Sequence, residues 1–232
     1  LKAEKTDNGY IINGVLPWVS NIGEDHVWAA TAQLSPTEFI MFIVDGKREG
    51  ITLRNCPEFF ALEGTNTLSI RFNNVLIEKD DLLADHDEFT NYIQSIKPGF
   101  ILLQIGIGSG ITEACIQIMN ESNLMTEHMN QYLDIGELEA THELKELLHK
   151  TDELAHLAND NQAKLLPVLE TRLKASELTL AVAQSASLHA GAKGYLMRHA
   201  AQRRYREALF IAIVTPAIKH LRQDIAILKL TS

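Results

Sequence analysis

The spacing of apolar residues changes once along this chain, near residue 85, and that change constrains the fold more than any motif does. From residue 9 to about residue 83 the apolar side chains come as short β-rich runs: Tyr10-Ile11-Ile12, residues 26–32, residues 39–44, Ile51-Thr52-Leu53 and residues 68–72. Asn13-Gly14, Asp45-Gly46, Gly64-Thr65-Asn66 and Asn73-Asn74 punctuate them with residues that favour turns. Strands this close together, with no helical pattern between them, predict an antiparallel sandwich or barrel rather than a parallel βαβ fold. Beyond Asp85-His86-Asp87-Glu88 the apolar residues recur three and four apart, as in Leu138, Leu144, Leu147, Leu148, Leu154 and Leu157, then Leu169, Leu173, Leu180 and Ala183. That period predicts an up-and-down α-helical bundle of about four or five long helices. The expected fold class is α+β, with a β-domain over residues 1–85 and a helical bundle over residues 86–232.

Composition narrows the function classes. A formal net charge of -9 argues against nucleic acid as a partner, because a phosphate-binding face gathers Lys and Arg. The basic cluster Arg203-Arg204-Tyr205-Arg206 is too short to reverse that, and it sits in a helical pattern. Cys56 and Cys115 lie far apart and outside any paired-cysteine motif, so neither a disulfide framework nor a zinc knuckle is expected. The compartment expected on this basis is reducing and cytoplasmic. The most apolar stretch, residues 100–118, is interrupted by Gln104, Thr112 and Glu113, short of the roughly 20 apolar residues of a membrane span. No signal-peptide pattern opens the sequence, which begins at Leu1 rather than Met.

Local motifs point to packing rather than chemistry. Gly106-Ile107-Gly108-Ser109-Gly110 lacks the preceding strand and the later glycine that a dinucleotide-binding turn needs. Gly106 and Gly110, four apart on a helix, are expected to let a neighbouring helix or ligand come close. His142, His149 and His156 recur at sevens, but residues two turns apart lie about 10 Å apart along a helix, too far to share a metal. A solvated face with Glu143, Glu146 and Glu153 is expected there, and no metal site. Ser109 lies between glycines in helical surroundings, whereas a nucleophile elbow follows a strand.

Four stretches, in order, resemble the acyl-CoA dehydrogenases. The first runs Gly9-Tyr10-Ile11-Ile12-Asn13-Gly14-Val15-Leu16-Pro17-Trp18-Val19-Ser20-Asn21. It is similar to the strand that leads through Asn-Gly to the family's Trp-x-Thr/Ser-Asn segment. The second, Gly64-Thr65-Asn66-Thr67-Leu68-Ser69-Ile70-Arg71-Phe72, continues through Asn73-Asn74-Val75-Leu76-Ile77 to Leu82-Leu83 and resembles the strand closing the middle domain. Lys97-Pro98 resembles the Arg-Pro that opens the first bundle helix. Gly191-Ala192-Lys193-Gly194-Tyr195 with Arg206-Glu207-Ala208 resembles the late Gly-Gly-x-Gly-Tyr and Arg-Asp-Ala elements. The resemblance implies an FAD-dependent oxidoreductase acting on an acyl-CoA or related small substrate, and a homo-oligomer, dimer or tetramer. It implies Trp18 beside the flavin ring, Ser20 near its reactive nitrogen, and Gly191 among the cofactor contacts. The nearly charge-free residues 181–192 are expected to serve self-association. Without the resemblance, Trp18 would read as a core Trp of a β-domain and Ser20 as a turn residue.

Departures from the family pattern bear on chemistry. Counting from Arg206, Thr215 stands where most of the family places the Glu that removes the proton α to the thioester carbonyl. A Thr hydroxyl is no base near neutral pH. Ser95-Ile96-Lys97-Pro98 offers no carboxylate at the other position the family uses. The Arg-x-x-Phe-Gly segment that holds a neighbouring subunit's FAD is matched poorly by Glu121-Ser122-Asn123-Leu124-Met125. Leu1 aligns just after the middle domain's opening strand, so the family's N-terminal helical domain has no counterpart in this sequence. Two other readings stay open: a flavin-dependent monooxygenase or oxidase on the same fold, which needs no α-proton base, and a catalytically silent subunit or fragment.

Overall fold

The computed structural model describes residues 1–231. Seven strands, β1 (Lys2–Thr6), β2 (Gly9–Val19), β3 (Val27–Gln33), β4 (Phe39–Asp45), β5 (Ile51–Asn55), β6 (Leu68–Glu78) and β7 (Leu82–Ala84), form one sheet in the order β5-β6-β2-β1-β3-β4-β7. Neighbours are antiparallel except β1 and β3, which meet in parallel at Lys2 and Gln33. Alternating side chains explain the core: Ile40, Phe42 and Val44 from β4 pack with Ile12 and with Ile70 and Phe72 from β6. Each such fully buried side chain contributes about 2 kcal/mol. Strand β1 escaped the sequence reading because of its five residues only Ala3 is buried.

Two expected turns are strand interiors. Ile12 pairs with Val75 and Gly14 with Phe72, so β6 uses one more residue than β2 over this interval. Asn74 takes the left-handed conformation at φ 52°, and the buried set of β6 shifts from Ile70 and Phe72 to Val75 and Ile77. This is a β-bulge. The Asn13 side chain replaces the lost ladder bonds: its Oδ1 accepts from the Asn74 N–H at 2.8 Å, and its Nδ2 donates to Asn74 Oδ1 at 3.1 Å. Asn at both positions signalled a turn; the same side-chain chemistry serves a bulge.

The change from strand to helix falls between Ala84 and Phe89. The chain divides into two compact units, one over Leu1–Ser95 and one from Ile96 onward, so the division lies inside helix α1 (Phe89–Leu103). The first part of α1 is held to the β unit by Phe89, whose ring stacks on Phe39 at 5.6 Å and whose N–H donates to the Asp85 carbonyl at 2.8 Å. Pro98 lies inside α1, nine residues past Phe89, and not at its opening as the Arg-Pro resemblance implied.

The second unit continues with α2 (Ile105–Asn130), α3 (Glu137–Asn159), α4 (Leu165–Gly194), α5 (Ala200–Ile213) and α6 (Ile218–Thr231). Among the described residues six helices thus stand where four or five were expected, α1 and α2 being separated only by Gln104. By length and composition the stretch from Phe89 to Asn130 would pass for a membrane-crossing helix, but half of its most apolar window is buried inside the protein. Helix α4 packs against α2, α3, α5 and α6. Within the charge-free residues 181–192, Val182, Ala183, Ala186 and His189 are buried by packing within the chain, while Leu188 is 56% exposed. The glycine expectation also shifts. A Cβ at Gly106 or Gly110 would meet nothing within 4 Å, whereas one at Gly108 would lie 2.8 Å from Thr179 Oγ1 of α4. Close helix approach therefore depends on the middle glycine. His142, His149 and His156 are exposed along α3, with His149 3.3 Å from Glu153.

Candidate functional site

In the β unit, Trp18, the last residue but one of β2, has its side chain outward and is 68% exposed, which excludes the core-Trp alternative. Its ring meets Phe59 edge-on at 6.3 Å and 90°. Phe60 is also 63% exposed, so three aromatic side chains on β2 and the loop after β5 stand open to solvent. The Cys56 thiol donates to the Pro17 carbonyl at 3.4 Å, tying that loop to the residue before Trp18. Exposed Trp and Phe rings of this kind offer a surface on which a planar group can stack. Ser20, two residues beyond Trp18, is exposed, and its Oγ lies 3.1 Å from Thr67 Oγ1. Thr67 Oγ1 lies 3.0 Å from Thr65 Oγ1, which in turn donates to the Leu62 carbonyl at 2.8 Å. Asn66 braces the same turn by accepting from the Ile22 N–H at 3.1 Å. The flat ring and adjoining hydroxyl offer a planar group a stacking face and a hydrogen bond at its edge.

The helical unit holds the other two residues singled out. Gly191 interrupts α4 with φ 57° and ψ -144°, a backbone conformation open in practice to glycine alone. A Cβ there would meet nothing within 4 Å, and residues 191–193 are exposed, so the backbone is accessible to a ligand. Gly194, three residues on, is glycine for a different reason: a Cβ would come within 2.8 Å of the Ala190 Cβ. Thr215 is exposed on the turn between α5 and α6, next to a cis peptide bond to Pro216.

What holds that turn was not legible in the sequence. Gln104, between α1 and α2, donates through Nε2 to the Thr215 carbonyl at 3.0 Å and accepts at Oε1 from Arg172 Nε at 3.2 Å. Arg172, on α4, is fully buried and also donates to Ser176 Oγ and to the Ile211 carbonyl, the latter at 2.9 Å. Burial pushes its pKa down to about 10, and it stays charged at neutral pH. The Ile211 carbonyl belongs to the last turn of α5, where the helix dipole favours a cation. A lone Arg in an apolar helical repeat reads as a surface residue in sequence, and only the partners reveal the buried cluster.

Other polar clusters are structural. Tyr10, nearly fully buried, donates to Asp85 Oδ1 at 2.5 Å, and burial together with that carboxylate raises the phenol's pKa. Burial pushes the Asp85 carboxyl up, but hydrogen bonds from Tyr10 and the His86 N–H outweigh it and the net shift is downward. Donor atoms of Asp85, His86 and Asp87 lie within 4.8 Å of one another, yet Asp85 Oδ1 is already engaged by Tyr10 and the His86 N–H. Arg48 clamps Asp81 with two bonds of 2.7 and 3.0 Å.

No protein-family model matches the chain. Among curated proteins it is 24% identical over 223 residues to the short/branched chain specific acyl-CoA dehydrogenase of Bos taurus, covering 89% of this chain and 50% of that protein. It is 23% identical over 218 residues to the short-chain specific acyl-CoA dehydrogenase of Mus musculus, with 89% and 52% covered. The chain thus spans about half the length of these relatives. Its fold superposes on butyryl-CoA dehydrogenase of Megasphaera elsdenii with a TM-score of 0.85 at 16% identity, covering 98% of this chain and 62% of that one. For an acyl-CoA dehydrogenase of Geobacillus kaustophilus the TM-score is 0.82 at 17% identity, with 97% and 62% covered. A prolyl acyl carrier protein oxidase gives 0.78 at 19% identity, with 97% and 62% covered. The chain has the fold of the middle and C-terminal domains of the acyl-CoA dehydrogenase superfamily, a β-sheet domain followed by a helical bundle. One expectation is overturned. Both curated relatives are mitochondrial enzymes, against the cytoplasmic assignment. That assignment rested on unpaired cysteines, which separate reducing from oxidising compartments and do not tell one reducing compartment from another.

Proposed function

We propose that this chain forms the flavin-facing part of an FAD-dependent oxidoreductase of the acyl-CoA dehydrogenase type, acting on an acyl-CoA or related small substrate. The observation that carries the reading is the outward Trp18 ring, braced edge-on by Phe59 and followed two residues on by the Ser20 hydroxyl. Bound flavin would supply the redox chemistry. Trp18 would offer a stacking face, Ser20 a hydrogen bond at the ring edge, and Gly191 an accessible backbone. Arg172 and Gln104 hold the Thr215 turn through its carbonyl. Thr215 brings a hydroxyl, not a carboxylate, to the position of the family's base, so proton abstraction from the acyl α-carbon is expected to be slow.

The test loads the full-length protein with FAD and adds an acyl-CoA. Slow or absent bleaching is expected, and Thr215→Glu should raise the rate by about 10²–10⁴-fold, the usual contribution of a positioned general base. Rapid bleaching of the unmodified protein would overturn the role given to Thr215. The same residue favours a second reading, a flavin-dependent monooxygenase or oxidase, which an external reductant rather than acyl-CoA would reduce. Failure to retain yellow FAD would leave a catalytically silent subunit. Self-association, as a dimer or tetramer, belongs to this proposal on the exposed Leu103, Leu124, Met125 and Leu188 of the helical unit. Sedimentation at increasing concentration tests it.

A further inference from the structure

Helices α4 and α5 are joined by a loop, residues 195–199, whose backbone is held by short-range hydrogen bonds. The N–H groups of Tyr195, Leu196 and His199 donate to the carbonyls of Ala192, Lys193 and Leu196, at 3.3, 3.2 and 2.8 Å. The Met197 carbonyl accepts from Gln202 Nε2, and His199 Nδ1 caps α5 by accepting from the Ala201 N–H at 3.1 Å.

The side chains of the same loop face the other way. Tyr195 is 92%, Leu196 56% and Met197 76% exposed, so three consecutive large apolar side chains stand in solvent on a fixed backbone. Lys193 and Arg198 flank them in sequence, and both are exposed, as is Arg203 on α5. Residues 193–207 hold five Lys and Arg against a single Glu, in a chain whose net charge is -9. That one carboxylate, Glu207, already faces Arg203 and Arg204 at 3.8 and 2.6 Å. A second copy of the chain is a poor fit for this surface, because a two-fold contact would set its cations against their own equivalents.

We infer that residues 193–203 dock on an anionic lipid bilayer, with Tyr195, Leu196 and Met197 entering the headgroup region and Lys193, Arg198 and Arg203 meeting lipid phosphates. Apolar area and attraction to anionic lipid act together at such an interface, and Tyr suits its polar boundary. The bonded backbone matters too, since polar groups without partners are costly beside hydrocarbon and this loop brings few. The rest of the chain is acidic and is repelled by the same lipid surface, which leaves this loop as the contact. The inference concerns the helical unit alone and does not rest on the flavin reading.

Cosedimentation of the whole chain with vesicles tests it. Binding is expected to vesicles of phosphatidylcholine and phosphatidylglycerol in equal parts, weaker at high salt and much weaker on phosphatidylcholine alone. Arg198→Ala should lower the partition coefficient about fivefold, the usual contribution of one cation at such a surface. Leu196→Ser should lower it about tenfold through lost apolar burial. Both side chains are exposed, so neither change should move the urea unfolding midpoint. Lipids brominated on their acyl chains should quench the emission of Tyr195→Trp beyond that of the unmodified chain. Equal quenching, no binding to the anionic vesicles, or binding unmoved by both substitutions would overturn the inference. Retention on immobilised polyglutamate without vesicle binding, lost in Arg198→Ala and unmoved by Leu196→Ser, would assign the face to an acidic protein instead.

Discussion

The two units secure their internal polar groups with opposite charges. The β unit uses carboxylates: Asp81 is clamped by Arg48, and Asp85 accepts from Tyr10. The helical unit buries a cation, Arg172, among neutral acceptors on Gln104, Ser176 and Ile211. The difference lies in what each architecture leaves unsatisfied. A sheet with short connections has turn N–H groups and a phenol to pair, whereas a bundle has the last carbonyls of its helices, which favour positive charge. The two solutions respond to pH with different signs. The Asp81 carboxyl is lowered by its hydrogen bond to Arg48, so its stabilisation is full above the ordinary carboxylate pKa of about 4 and is lost as pH falls through the lowered value. Burial lowers Arg172 to about 10, so its cost is full below about 10 and is relieved only as pH rises beyond that toward the ordinary guanidinium range. Acid should therefore weaken the β unit and leave the Arg172 cluster untouched.

Removing the buried cation gives the largest expected effect. Arg172→Ala leaves a cavity, takes the donor from Gln104 Oε1 and Ser176 Oγ and leaves the Ile211 carbonyl only its 3.4 Å contact from Ser176 Oγ, and should cost about 3 kcal/mol, read as faster amide exchange in α4 and α5 with β4 and β6 unchanged. Equal loosening of both units would break the comparison. Gly191→Ala, at φ 57° with open space around it, should cost about 2 kcal/mol from backbone strain alone, measured by urea unfolding. In the β unit, Asp81→Asn should cost about 1.5 kcal/mol at pH 7 and progressively less as the wild-type carboxyl itself protonates below about pH 4. A cost that stayed constant down to pH 2 would show that Asp81 acts through packing and not charge. Smallest, and of opposite sign, Gly110→Ala on the exposed face of α2 should stabilise by about 0.5–1 kcal/mol. A loss there would mean that something covers this face.

By itself the sequence determined the division into a sheet and a bundle, because side-chain period is set by backbone geometry within each element and needs no partner. Trp18, Ser20, Gly191 and Thr215 were singled out by the resemblance to the acyl-CoA dehydrogenases and not by the period. Tertiary structure decided the rest. Asn13-Gly14 and Asn73-Asn74 each favour a turn, and only their meeting across β2 and β6 makes them one bulge. Gly106, Gly108 and Gly110 are equivalent in sequence, and the position of Thr179 on α4 selects the middle one. Arg172 looks like any helix-surface cation until Gln104, 68 residues away, receives it. Periodicity is a property of one segment, and hydrogen-bond partnership is a property of two, which is why the first could be read in advance and the second could not.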